Sequence, residues 1–334
     1  MSATSASSRI HGCLVGAVVG EASALAGLAG AHGRGTGLEP GPGPLGMGPA
    51  GQLTLFTADG LLEAIEWAND GVHADEAACV WLASLRWVSG QGVPLSPSAP
   101  AAQPRWLDSQ EGVRVPAAAQ PAWAVSLAGG EMGSTARPLG LEFDDAGAAA
   151  HAAPFGLVPH IPAAGVLKMS AEGAALTHGA PVAVQSAVAV ASFTHFLALG
   201  ADALTALGSA RAQVASLRSP DAKVLEALDA AVREGVAGDA AAAHDGDASV
   251  ALRAAAAAVL AAESAVQSGD RHDAAFATGV GLAAAAGSDA AAIAGALLGT
   301  LWGRDSVTDA WSSRTAGVAA ADGLADRFAR LTGA

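Results

Sequence analysis

Residues 48–62 read Gly48-Pro49-Ala50-Gly51-Gln52-Leu53-Thr54-Leu55-Phe56-Thr57-Ala58-Asp59-Gly60-Leu61-Leu62, and the pattern from Thr54 onward decides the fold class. Between Thr54 and Ala68, the residues Leu55, Phe56, Leu62 and Ile65 fall at spacings that gather on one helical face. A second stretch, Ala286-Gly287-Ser288-Asp289-Ala290-Ala291-Ala292-Ile293-Ala294-Gly295-Ala296-Leu297-Leu298-Gly299, opens another helix that continues to Trp302.

Helix signals recur along the rest of the chain. Asp75 suits an N-cap for a helix that ends at Gly90. Pro181 fits the first turn of a helix running to Leu199, with Gly200 as its stop. Ser219-Pro220-Asp221 reads as an N-cap, a proline at the first helical position and an acid in the first turn. Alanine-rich amphipathic stretches cover 247–268 and 272–286, and a last helix covers 318–331. Residues 89–120, rich in Pro, Ala, Ser and Gly, read as a surface excursion tethered by Arg105-Trp106-Leu107. The expectation is a single all-α, multi-helix domain over residues 1–334.

Composition narrows the function classes. The hydrophobic fraction of 51% is mostly alanine, the best helix former, which implies close-packed helices. No uninterrupted apolar run of about 20 residues is present, as a membrane span requires. The most apolar segment, 182–199, carries Gln185, Ser186, Ser192, Thr194 and His195 and reads as a buried helix. The first residues lack the apolar core of a signal peptide, so a cytoplasmic location is expected. Two cysteines, Cys13 and Cys79, exclude a disulfide framework. A net charge of −14 without a basic stripe argues against nucleic acid as a partner. The Ala/Gly/Arg bias fits a bacterial, GC-rich genome.

Both quoted stretches are similar to signatures of the ADP-ribosylglycohydrolase family, the dinitrogenase-reductase-activating glycohydrolase and its relatives. Other pieces follow in the family's order: Gly12-Cys13-Leu14 through Gly20-Glu21-Ala22, with Glu21 where Asp is usual; Leu85-Arg86-Trp87 with Gln91-Gly92; Ala153-Pro154-Phe155-Gly156-Leu157; and Ala175-Leu176-Thr177-His178-Gly179-Ala180-Pro181. The resemblance spans residues 9–330. It implies the family's all-α fold and hydrolysis of a glycosidic bond to ADP-ribose, assisted by two magnesium ions.

The departures fall where that chemistry would occur. The family's Thr-Asp-Asp-Thr stretch is here Gly48-Pro49-Ala50-Gly51, and its Asp-x-Asp-Ser/Thr stretch is Ala286-Gly287-Ser288-Asp289. His151 replaces an arginine, and residues 141–147 keep one glycine of an Asn-x-Ser-Lys-Gly-x-Gly region. Hard cations need several anionic oxygens to offset their dehydration. Pro49, Ala50 and Ala286 supply none, and Ser288 supplies a neutral hydroxyl.

The expectation is therefore a catalytically inactive family member, a pseudoenzyme with no metal cofactor. Its role is binding or scaffolding, and the cleft retains at most weak affinity for ADP-ribose or a related nucleotide. Glu21, Asp59 and Asp289 are weak catalytic candidates for the alternative, an active hydrolase with rebuilt, metal-independent chemistry. A further alternative is a purely structural partner whose cleft is filled by alanine and proline side chains. Asp289 reads first as a first-turn acid at a helix N-terminus, and His178 as a residue that caps or packs the next helix. His151 is a candidate contact for an anionic ligand. His244, Asp245 and Asp247 read as solvated, Asp144-Asp145 as an isolated acidic pair, and Gly-Pro-Gly-Pro at 41–44 as a rigid loop without a phosphate-loop lysine.

Overall fold

The computed structural model describes residues 4–27, 43–116, 121–237, 246–307 and 309–334. Gly41, Pro42, residues 117–120 of the excursion, His244 and Asp245 lie outside the described residues.

Fifteen α-helices run through the described chain: α1 Ala6–Leu25, α2 Pro49–Asn69, α3 Glu76–Gly90, α4 Ala124–Ala128, α5 Gly147–Ala150, α6 Ala153–Gly156, α7 Ala163–Ala174 and α8 Pro181–Ala198, then α9 Ala203–Ala215, α10 Ala222–Ala237, α11 Ala248–Gln267, α12 His272–Ala284, α13 Ser288–Trp302, α14 Asp309–Ser312 and α15 Val318–Thr332. Among the described residues no strand forms; the isolated bridges Leu45 to Thr315 and Ser134 to Arg137 only pin loops. The molecule is one all-helical domain.

Small residues set the helix spacing. Gly12, Gly16 and Gly20 line one face of α1 and meet Gly295 and Gly299 of α13. A Cβ added at Gly16 would stand 2.1 Å from the Gly295 carbonyl oxygen, so the two backbones are in direct contact. Arg9 reinforces this pairing: its Nη1 donates to the carbonyls of Leu197, Thr300 and Leu301, which helix ends leave without intrahelical partners. The helices α8 and α11 are long and apolar enough to cross a membrane, but 78% and 61% of their most apolar stretches are buried inside the protein. Here they serve as core helices.

The helix ends follow local chemistry. Asp75 caps α3, accepting from the Ala78 N–H, and α3 ends at Gly90. The start of α10 lies later than the Ser-Pro-Asp reading places it: the helix begins at Ala222, and Asp221 Oδ1 accepts from Lys223 and Val224 N–H. Asp247, read as a solvated loop acid, is the N-cap of α11.

The excursion is tethered as its sequence suggests, with Leu107 fully buried and Trp106–Ser109 forming a 3-10 turn. Gln52 of α2 explains two motif pieces at once. Its carbonyl accepts from Trp87 Nε1 at 2.9 Å and Gln91 Nε2 at 2.7 Å, while its amide donates to the Met47 and Val115 carbonyls. The Leu-Arg-Trp and Gln-Gly segments thus clamp α3 and the excursion to α2.

Candidate functional site

The starts of α2 and α13 face each other across a cleft of about 340 Å³, lined by Glu21, Pro49, Ala50, Leu53, Pro121, Ala122, Trp123, Asp145, Gly147, Ser288 and Asp289. A larger depression, about 640 Å³, lies at the start of α15, where Arg304 is paired with Asp322. The smaller cleft is the candidate site because both signature segments and the buried acid Glu21 converge there.

Glu21 projects from α1 and is 1% exposed. Its carboxylate accepts three backbone N–H groups at the start of α2: Gly48 at 2.9 Å, Ala50 at 2.9 Å and Gly51 at 2.7 Å. Helix α2 has no side-chain cap of its own, so this carboxylate satisfies donors the helix leaves free. Burial pushes the Glu21 carboxyl up to about 7 against the pull of those three bonds, and Asp289 adds to the rise.

Asp289 sits in the first turn of α13, as its reading as a helix-start acid anticipates, behind Gly287 at φ 115°. Burial, then the charge of Asp145, push its carboxyl up to about 6 against the opposing influence of His178. Ser288 lines the cleft beside it, whereas Ala286 lies outside the lining.

Asp145, by sequence half of an isolated acidic pair, is a wall of the cleft. Its Oδ1 lies 3.0 Å from His178 Nε2 and accepts from Gly147 N–H at 2.9 Å. Burial raises the Asp145 carboxyl, but the His178 hydrogen bond and charge outweigh it and hold it below the ordinary value. His178 in turn contacts Thr177 Oγ1 through Nδ1 at 2.7 Å and packs against Trp123 and Phe143. His178 is thus a packed, buried residue, as one of its two sequence readings has it, and it also holds Asp145 by a hydrogen bond.

Neither Asp59 nor His151 is among the residues that line the cleft. Asp59 is 1% exposed and paired with Arg86 at 2.5 Å and Arg105 at 3.2 Å, while Arg86 also bonds Asp108 and Arg105 bonds Glu66 at 2.8 Å. The Asp59 carboxylate is thus committed to a buried ion-pair network. His151 is 4% exposed, with Nδ1 3.1 Å from Thr57 Oγ1 and Nε2 without a hydrogen-bond partner among the described residues. Burial, then the nearby His178, push it down to about 3, which disfavours the charged form as a partner for an anion.

The donor set can be weighed against two hard cations. Glu21 is spent on backbone donors and Asp145 is bonded to His178 and Gly147, which leaves Asp289 as the remaining acid of the lining. Among the described residues, no group of three or more His, Cys, Asp or Glu side chains is arranged to hold a metal ion. These residues do not fit a cation pair. Sequence reasoning missed Asp145 and Trp123. The available signal was the Thr177-His178 signature, kept intact while the surrounding pattern eroded.

Comparison with known proteins agrees with the fold. The family model described as ADP-ribosylglycohydrolase matches residues 2–334. A solved structure described as an "ADP-ribosylglycohydrolase-related protein complex" superposes with a TM-score of 0.64 at 20% identity, covering 98% of this chain and 99% of that chain; at this identity the likeness speaks for the fold. No curated protein matches the chain in sequence. The chain belongs to the ADP-ribosylglycohydrolase family.

Proposed function

We propose that this member of the ADP-ribosylglycohydrolase family is a pseudoenzyme that acts by binding, without metal cofactors. The observation that carries the reading is the fate of Glu21, whose two oxygens are consumed by the Gly48, Ala50 and Gly51 N–H groups. Electrostatic stabilisation is usually the largest catalytic contribution, and in the parent chemistry its source is the cation pair. A nucleotide such as ADP-ribose binds weakly on this reading, because its phosphates meet Glu21, Asp145 and Asp289 with no cation in the lining. A purely structural role is less well supported, since Pro49 and Ala50 border an open cleft rather than filling it.

Thermal melts test the metal-free state. A ligand that binds only the native state stabilises it by about 2.7 kcal/mol at a hundredfold excess over Kd. Melting curves in millimolar magnesium and in chelator are therefore expected to coincide. A rise in melting point with magnesium would overturn the reading.

One observation favours a second reading, metal-independent hydrolysis. Asp289 and Asp145 line the same cleft with their carboxyls moved in opposite directions, which is how an acid and a base are assigned. On that reading Asp289 protonates the leaving group and Asp145 activates water. Release of ADP-ribose from arginine-, serine- or O-acetyl-linked substrates in the presence of chelator, abolished by Asp289→Asn, would establish it. No release is expected.

A further inference from the structure

The clamp formed by Glu21 carries more than a local hydrogen-bond pattern. Its carboxylate comes from α1 and has been threaded into the start of another helix, where three N–H groups converge within 2.9 Å. The glycines around it are those that such a placement requires. A Cβ at Gly48 would stand 2.4 Å from Glu21 Oε1, and one at Gly51 would stand 2.8 Å from Glu21 Oε2. Real Cβ atoms do not approach so closely, and the carboxylate cannot retreat without abandoning its donors.

We propose that Glu21, Gly48 and Gly51 form one interdependent unit, in which the α1 side chain fills a carboxylate-sized seat at the start of α2 and closes that end of the cleft to any other anion. The seat has the chemistry of an anion site, with positive helix-end charge and convergent N–H donors, but its occupant is covalently part of the chain. An incoming ligand meets Asp145 and Asp289 and never reaches the α2 donors. The rise of the Glu21 carboxyl to about 7 fits a group seated in a buried place, facing Asp289 from α13. The proposal holds whether or not the cleft binds a nucleotide.

Emptying and refilling the seat tests it. Glu21→Ala removes the occupant, and formate, the smallest carboxylate, is the probe. At matched ionic strength, formate is expected to raise the melting point of Glu21→Ala above its value in chloride and to leave the parent protein unchanged. Equal melting points for Glu21→Ala in formate and chloride would overturn the proposal. A second measurement does not depend on that variant folding. Gly51→Ala is expected to lower the melting point of the parent protein, and adding Glu21→Asp, one methylene shorter, is expected to recover part of the loss. Purely additive losses would overturn the interdependence of the unit.

Discussion

Several charges inside this protein are held by specific partners. Arg86 is 5% exposed and sits between Asp59 and Asp108. Removing it leaves two buried carboxylates short of a cation, so Arg86→Ala is expected to cost about 3–5 kcal/mol in urea denaturation. The pH dependence has two opposing sources. Glu21 is raised from 4.5 to about 7 and Asp289 from 3.8 to about 6, so their contributions are full below the lower values and lost as pH rises through the upper ones. His151 is lowered from 6.5 to about 3, so its contribution is full above 6.5 and lost as pH falls toward 3. Glu21→Gln is therefore expected to remove roughly 3 kcal/mol of the decline between about pH 4.5 and 7. Denaturation midpoints across that window check it; an unchanged slope would contradict it. In the sequence Glu21 and Asp59 stand as equivalent acids, each able to face a pocket or to serve a hydrogen-bonded structural role, and Asp145 as half of an isolated pair. The reason is physical: what a carboxylate does depends on Arg86, Arg105 or His178, which only the folded chain brings within 3.2 Å.

Elements were more legible than sites because helix periodicity and caps are local. The helix read over Thr54–Ala68 is the body of α2, and Asp75 and Gly90 bound α3 as their chemistry suggests. The start of α10 moved because Asp221 accepts from the first N–H groups of the helix, and Asp247, a solvated acid by sequence, caps α11 where the sequence places that helix. Glycine gives a sharp test of packing between elements. In an exposed helix Gly→Ala stabilises by about 0.5–1 kcal/mol. Gly208 of α9 is exposed with nothing within 4 Å of an added Cβ, so Gly208→Ala is expected to follow that rule. Gly295→Ala would place Cβ 2.0 Å from the Gly16 carbonyl oxygen and is expected to reverse the sign, costing about 3 kcal/mol. Thermal unfolding of the two variants side by side checks both.

At the scale of the molecule, ordered motif fragments carried the fold, while the electrostatics of the cleft emerged only when α1, α2 and α13 came together. That convergence governs any attempt to rebuild the lost chemistry. Gly48→Thr, Pro49→Asp, Ala50→Asp and Gly51→Thr, with Ala286→Asp, Ser288→Asp and Asp289→Ser, restore the acidic stretches of the family. With Glu21 in place, the side chains at 48 and 51 collide with its carboxylate, and no magnesium-dependent rise in melting point is expected. Adding Glu21→Asp is expected to bring that rise back; melts of both variants with and without magnesium decide it. The glycine contact between α1 and α13 also bears on how the chain is made. Nearly the whole sequence separates the two helices, so during translation α1 leaves the ribosome long before its partner exists. Until α13 follows, the glycine face of α1 waits uncovered, and closing so long a loop is slow. The nascent chain should therefore depend on a chaperone, and a ribosome stalled before residue 288 should hold α1 open to protease.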